Sequence, residues 1–324
     1  MDAMEQQSVA AARSLADEVL LPDAEAVDRA DRVPPSHLEA LDAAGLTGLA
    51  ARGADLAERV DVTAALAGGC LATAFLWIQG QGALAAVARS SGPAARFADE
   101  LASGRLRAGV AITAVRGPRP LRIEPTADGW RIDGSAPWVT GWGVVDVLRV
   151  AAVQDDGSIR TVLVDVGPGM TAERVLAVAA GAAGTATVTF DEVPVPADRA
   201  LDVVSAEEWA TADAAGLAGN GALALGVAGR AAAMLAESGR PGFVAPVQQV
   251  RDALLAADVD ALPEARAACS ALALHAAGAL AAHDGARGVS AGSRSDRLLR
   301  EAHFLLGFGS RPAIRADLLR RLGV

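Results

Sequence analysis

Residues 129–153 read GWRIDGSAPWVTGWGVVDVLRVAAV. Gly129 and Gly134 bracket an alternating Trp130-Arg131-Ile132-Asp133, and Val144 to Val153 is rich in β-branched side chains, so the stretch predicts a pair of strands. Between them, Trp138-Val139-Thr140-Gly141 sets a flat aromatic and a hydroxyl on a tight exposed turn. Two uses of that indole are open. Filling the core of a β-domain is the one that pattern alone favours. The other is a surface for a planar ligand, with Thr140 hydrogen-bonding to it.

Strand signals continue on both sides. Arg107 to Thr113 and Leu121 to Glu124 read as short strands, and Ile159 to Val164 follows an Asp155-Asp156-Gly157 turn in hairpin fashion. Thr185 to Phe190 alternates again until Pro194 and Pro196 end it. Asp165-Val166-Gly167-Pro168-Gly169 fits neither GxxxxGK[ST] nor GxGxxG and reads as a turn. Short strands divided by Gly and Asp turns predict a compact antiparallel β-domain, not a βαβ array.

Elsewhere the period is helical. Val9, Ala12, Leu15, Ala16, Val19 and Leu20 form one stripe ahead of Pro22, and Pro34-Pro35-Ser36 starts another helix that Gly45 breaks. Asp61 to Arg89 reads as one long helix, apolar all round and therefore central in a bundle, with a short helix over Pro93 to Leu101. After the strands, helices are predicted over Trp209 to Glu237, Gln248 to Asp258, Ala261 to Ala282, Ser295 to Leu306 and Pro312 to Leu322. The expected organisation is an N-terminal helical domain (1–105), a middle antiparallel β-barrel domain (106–204) and a C-terminal helical bundle (205–324): mainly α with an inserted β-domain.

Composition narrows the chemistry. The chain has 324 residues with 29 basic against 39 acidic side chains, a formal net charge of -10. No basic block offers the phosphate neutralisation that nucleic-acid binding needs, and Arg315, Arg320 and Arg321 read as a solvated helix face. Only a few arginines converging in three dimensions would bring a phosphate to the protein. No stretch of about 20 strongly apolar residues is free of charge, so no membrane span is expected, and no secretory signal is visible. The two cysteines, Cys70 and Cys269, lie far apart in apolar segments and suit a reducing compartment; the expectation is an acidic cytoplasmic protein. His37, His275, His283 and His303 make no metal-ligand pattern, there is no CxxC and no GxSxG elbow, and no metal is expected.

Three segments together resemble the acyl-CoA dehydrogenase family. Trp138-Val139-Thr140 is similar to its Trp-[Ile/Val]-[Thr/Ser] element, Gly109-Val110-Ala111-Ile112-Thr113 to the preceding Ala-x-Thr strand, and Val188 to Pro196 to its strand exit, in matching order along almost the whole chain. The resemblance implies an acyl-CoA dehydrogenase-like fold, an FAD cofactor, an acyl-CoA or related thioester substrate, a dimer or tetramer, and electron-transferring flavoprotein as acceptor. It implies that Thr113, Trp138 and Thr140 flank the flavin ring, and that Arg240 and Phe243, followed by Pro246 and Val247, reach the FAD of a neighbouring subunit.

The departures bear on activity. Ala114-Val115-Arg116-Gly117-Pro118 replaces the Glu and Gly-Ser-Asp element that follows the family's threonine, and Arg251 stands where a glutamine is usual, a position from which an arginine would meet a phosphate of the cofactor or mark an altered interface. Dehydrogenation of a thioester needs a carboxylate to take the α proton while hydride leaves the β carbon. Aligning Arg297 to Ala302 with the family's Arg/Lys-x-x-Arg-Asp-Ala puts the usual base at Gly292, which holds no proton. The alternative position on the helix after the β-domain falls near Ala214, where the adjacent Asp213 is a weak candidate beside a solvated-face role, with Glu207 and Glu208 preceding it. Gly309-Ser310-Arg311 occupies the family's flavin-bordering Glu-Gly-Thr; Ser310 would replace some polar contact, and Arg311 would approach pyrophosphate or a partner. Three readings stand: an FAD-containing subunit performing α,β-dehydrogenation with an acyl-CoA dehydrogenase-like partner supplying the base, an active homo-oligomer with a displaced carboxylate, and a non-catalytic structural or binding homologue.

Overall fold

In the computed structural model, which describes residues 3–309 and 311–324, helices occupy the chain up to Ala102 and again from Ala206, with strands between. The first group is α1 (Ala3–Leu15), α2 (Leu21–Asp28), α3 (Pro35–Ala43), α4 (Leu56–Gly69), α5 (Leu71–Arg89) and α6 (Ala98–Ala102). The strands are β1 (Ala108–Ala111), β2 (Arg122–Thr126), β3 (Gly129–Val139), β4 (Val147–Val153), β5 (Ile159–Asp165), β6 (Met170–Arg174), β7 (Ala186–Pro196) and β8 (Ala200–Val204). The second helical group is α7 (Ala206–Ala215), α8 (Leu217–Glu237), α9 (Val244–Ala256), α10 (Leu262–Asp284), α11 (Arg294–Gly307) and α12 (Pro312–Arg321).

The helical groups pack directly on one another: α8 lies against α10 on one side and α4 on the other. Small residues permit this. A Cβ on Gly226 of α8 would run into the Ala64 carbonyl and come within 2.7 Å of Ala67 Cβ, so the α4–α8 crossing has room only for hydrogen. The expected single helix over 61–89 is two. Cys70 takes an extended conformation (φ -152°, ψ 111°) and turns the chain from α4 into α5, with Gly69 pressed on Ala16 of the helical turn after α1. Likewise the expected 209–237 helix breaks at Gly216 into α7 and α8. Contrary to expectation, Leu71–Arg89 and Leu262–Gly288 are long and apolar enough to cross a bilayer by length and composition; both lie about half buried in this fold.

The strands form the expected middle β-domain, mainly antiparallel. The sheet order is β6-β7-β3-β2-β4-β5-β8, with β1 pairing β4, so the hydrogen-bonded path ends on two edge strands. β1 runs parallel to β4, and β2 meets β4 in parallel at Arg122–Val153, so the sheet is mixed. Strand β7 does not stop at its prolines. Pro194 and Pro196 pair with Arg131 and Gly129 of β3, beyond the residues that β6 covers, where the missing N–H has no second neighbour to serve. β6 was not expected; four of its five residues are exposed, and without a buried face it shows no alternation.

Candidate active site

A bulge in β3 decides what Trp138 does. Between Ala136 and Val139 the register against β7 shifts, with three residue steps on β3 against two on β7. Trp138 takes up the slack in a left-handed conformation (φ 61°), which costs a non-glycine residue about 1–2 kcal/mol. The reward is direction: the indole turns out of the sheet and is 42% exposed, while Ala136 and Val139 on either side are buried. The core-filling use of Trp138 is therefore overturned. Thr140 behaves oppositely. It is 1% exposed, with its hydroxyl 3.1 Å from Thr185 Oγ1, so it is not the exposed turn hydroxyl expected from the sequence.

Trp138 faces a cleft of about 740 Å³ enclosed by both helical groups and the sheet. Thr63 and Ile78 belong to the wall made by α4 and α5; Ile112 and Thr113 follow β1; Trp209 and Asp213 come from α7. The Ser205–Glu208 capping box fixes where α7 starts, and the four-residue spacing from Trp209 puts Asp213 on the same helix face. At the far end of α11, Phe308 packs edge-on against Phe75, ring centroids 4.5 Å apart. Buried Arg266 donates from Nη2 to the Leu305 and Phe308 carbonyls, at 2.7 Å each, and so holds Gly309 at the cleft wall.

The polar lining is rich in donors. Arg116 donates from Nε and Nη2 to the two Asp213 carboxylate oxygens at 2.7 and 2.6 Å, and Arg311 Nη2 donates to Asp213 Oδ2 and to its carbonyl, both at 2.8 Å. Arg149, from β4, sits with its Cζ 5.5 Å from the Trp209 ring. Burial, with the Arg89 charge adding to it, pushes the Arg149 guanidinium down to about 10. Burial likewise lowers Arg311, against the pull of Asp213. Among the described residues, three donor atoms in the cleft walls are buried without a hydrogen-bond partner: Arg149 Nε, Trp209 Nε1 and Arg311 Nε. Such a donor set matches a ligand rich in acceptor oxygens.

The sequence-derived residues divide between the cleft and elsewhere. Thr113, Trp138, Thr140 and Asp213 line it. Gly292 does not; it lies in the α10–α11 connection, where a Cβ would run into Arg29 Nη1. Gly309, the position that the resemblance gives to a glutamate, is among the glycines at the cleft, and a Cβ there would come 2.9 Å from Asn220 Nδ2. Arg240 is exposed and donates to the Ser238 carbonyl at 3.0 Å, and Phe243 is half-buried against the core; neither lines the cleft. Arg251 is held by Asp61 in a two-point ion pair, 2.6 Å at each oxygen, and does not line the cleft. Ser310 lies outside the described residues. Arg149 was missed, although a lone arginine between Val147 and Ala151 on one face of an apolar strand was a readable signal.

No family model matches the chain. Over 210 residues it is 29% identical to a 3-sulfinopropanoyl-CoA desulfinase of Paraburkholderia xenovorans (strain LB400), a match covering 58% of this chain and about half (53%) of that protein. Its backbone superposes on butyryl-CoA dehydrogenase from Megasphaera elsdenii with a TM-score of 0.85 at 18% identity, covering 100% of this chain and 98% of that one. This chain has the acyl-CoA dehydrogenase fold. A second structure with this fold, PigA with FAD and proline, superposes with a TM-score of 0.82 at 16% identity over 100% of this chain and 98% of that one. On the acyl-CoA dehydrogenase fold, the cleft is the space between the middle sheet and the two helical groups, and Trp138, Asp213 and Gly309 are the residues of this chain brought together there.

Proposed function

We propose that the chain is an FAD-binding, acyl-CoA dehydrogenase-like oxidoreductase subunit acting on a CoA thioester, with the proton-abstracting carboxylate supplied by a partner subunit of the same fold. One observation carries the cofactor reading: the backbone at Trp138 is held in a left-handed conformation that directs its indole into the cleft. Strain of this kind persists where surrounding structure imposes it, and it clusters at ligand sites. The residues fit the cofactor: Trp138 offers the ring a flat face, Thr113 a polar edge, and Arg311 an unpartnered N–H for phosphate oxygen. When bound, FAD supplies the hydride acceptor.

The chain's own residues bind and orient more readily than they abstract a proton. Gly309 places no functional group in the cleft. Asp213 spends three of its roughly four acceptor sites on Arg116 and Arg311, so it anchors two guanidiniums and has little left for a substrate proton. Exposed Arg240, beside Val244 at 51% exposure, offers the outward-facing surface on which a second subunit would sit. The test is a dye-reduction assay on acyl-CoA. The isolated chain is expected to turn over poorly, and co-expression with a genomic neighbour of the same fold that keeps its glutamate is expected to restore the rate; full activity from the isolated chain would reject the shared-base reading.

A further inference from the structure

Arg149 is a cation in the interior of a strand with no ion pair among the described residues. Its neighbours on the same face of β4 are Val147 and Ala151, both buried. The charged groups around it lie outside hydrogen-bonding reach: Arg89 repels it, and Asp202 and Asp213 attract it from a distance. Its Nε is shut off from solvent without a partner, and so is the indole N–H of Trp209, the ring over which the guanidinium lies. Two desolvated donors in one cleft wall, with no acceptor among the described residues, form a charge-assisted pair suited to an anion.

We propose that Arg149 and the Trp209 N–H form an anion subsite that selects thioesters whose acyl group ends in an acid group such as a carboxylate. The inference rests on the thioester reading above and adds the class of acyl group. Position favours the acyl end over a phosphate of CoA or FAD. Arg116 and Arg311 are already neutralised in part by Asp213, and their ion pairs leave them suited to phosphates that keep contact with water. Arg149 is set instead in the apolar surroundings of Trp209, Ile112 and Ala151, which suit one compact anion held by a planar two-pronged donor.

The test is isothermal titration of the full chain with glutaryl-CoA and pentanoyl-CoA, which share chain length and differ in the terminal carboxylate. Glutaryl-CoA is expected to bind about ten-fold tighter or more, because a buried donor pair left empty penalises the neutral ligand. Arg149→Met is expected to abolish that preference by weakening glutaryl-CoA and binding pentanoyl-CoA at least as tightly as the wild type does, and Trp209→Phe to reduce it. If Arg149→Met fails to fold, Arg149→Lys keeps the charge without the fork and is expected to retain part of the preference. Equal binding of the two thioesters by the wild-type protein overturns the proposal. So does an Arg149→Met variant that loses free CoA and both thioesters equally, or that loses FAD instead of acid discrimination, since either assigns Arg149 to a phosphate. A yellow protein that binds both thioesters alike removes the subsite alone; a colourless protein that still prefers glutaryl-CoA keeps the subsite and removes the flavin reading.

Discussion

Trp138 is the residue on which chemistry and conformation meet. In an ordinary strand, glycine is less stable than alanine by roughly 0.5–1 kcal/mol. At a φ of 61° the order reverses, because alanine keeps the left-handed strain and glycine sheds it. Trp138→Gly is therefore expected to unfold later in denaturant than Trp138→Ala, by about 1 kcal/mol, with both variants retaining flavin poorly; Ala above Gly would mean that the bulge relaxes. The cysteines allow a second residue-scale test. Burial raises the Cys70 thiol and pushes Cys269 up to about 12, so both stay protonated at pH 8 and reach reagent only by unfolding. Iodoacetamide at that pH is expected to leave the native mass unchanged and to add two labels in denaturant. Sequence made Trp138 visible as a candidate but not its direction, since a bulge is a mismatch between β3 and β7 and neither strand shows it alone. Thr140 illustrates the converse: its hydroxyl looks free until Thr185 is brought beside it.

Among elements, the α4–α8 crossing is the tightest joint between the two helical groups. Ala usually exceeds Gly inside a helix by about 0.8–1.0 kcal/mol. Gly226→Ala is expected to do the opposite and destabilise the protein by about 1–3 kcal/mol, because its methyl would enter the space of the Ala64 carbonyl and Ala67. A chemical denaturation curve decides the sign, and stabilisation would show that the helices have room to part. The order of helices, strands and helices was legible because long 3.6-residue patterns flank a β-branched centre. The break at Cys70 was not, since residues on both sides of it are apolar and local pattern gives no boundary. β6 was equally hidden, being exposed on nearly every residue. The parallel β1–β4 pairing depends on a partner 39 positions away in the chain, which alternation within a strand does not specify.

For the whole molecule, a net charge of -10 coexists with a cleft where Arg116, Arg149 and Arg311 surround a single Asp213. That local reversal of sign draws in acidic ligands while the acidic exterior disfavours non-specific association with nucleic acid. The resemblance identified the frame of the cleft, with Gly309 at its wall, while Gly292, the position it gave the base, lies outside it. What it did not reveal was the arginine cluster, assembled from β4, the turn after β1 and the segment before α12. Flavin binding is tested most directly by the visible absorbance spectrum of the purified protein, followed by cofactor extraction. The expected result is a yellow protein with bound-flavin bands and close to one FAD released per chain; a colourless protein that takes up no FAD when the cofactor is added would contradict the flavin reading.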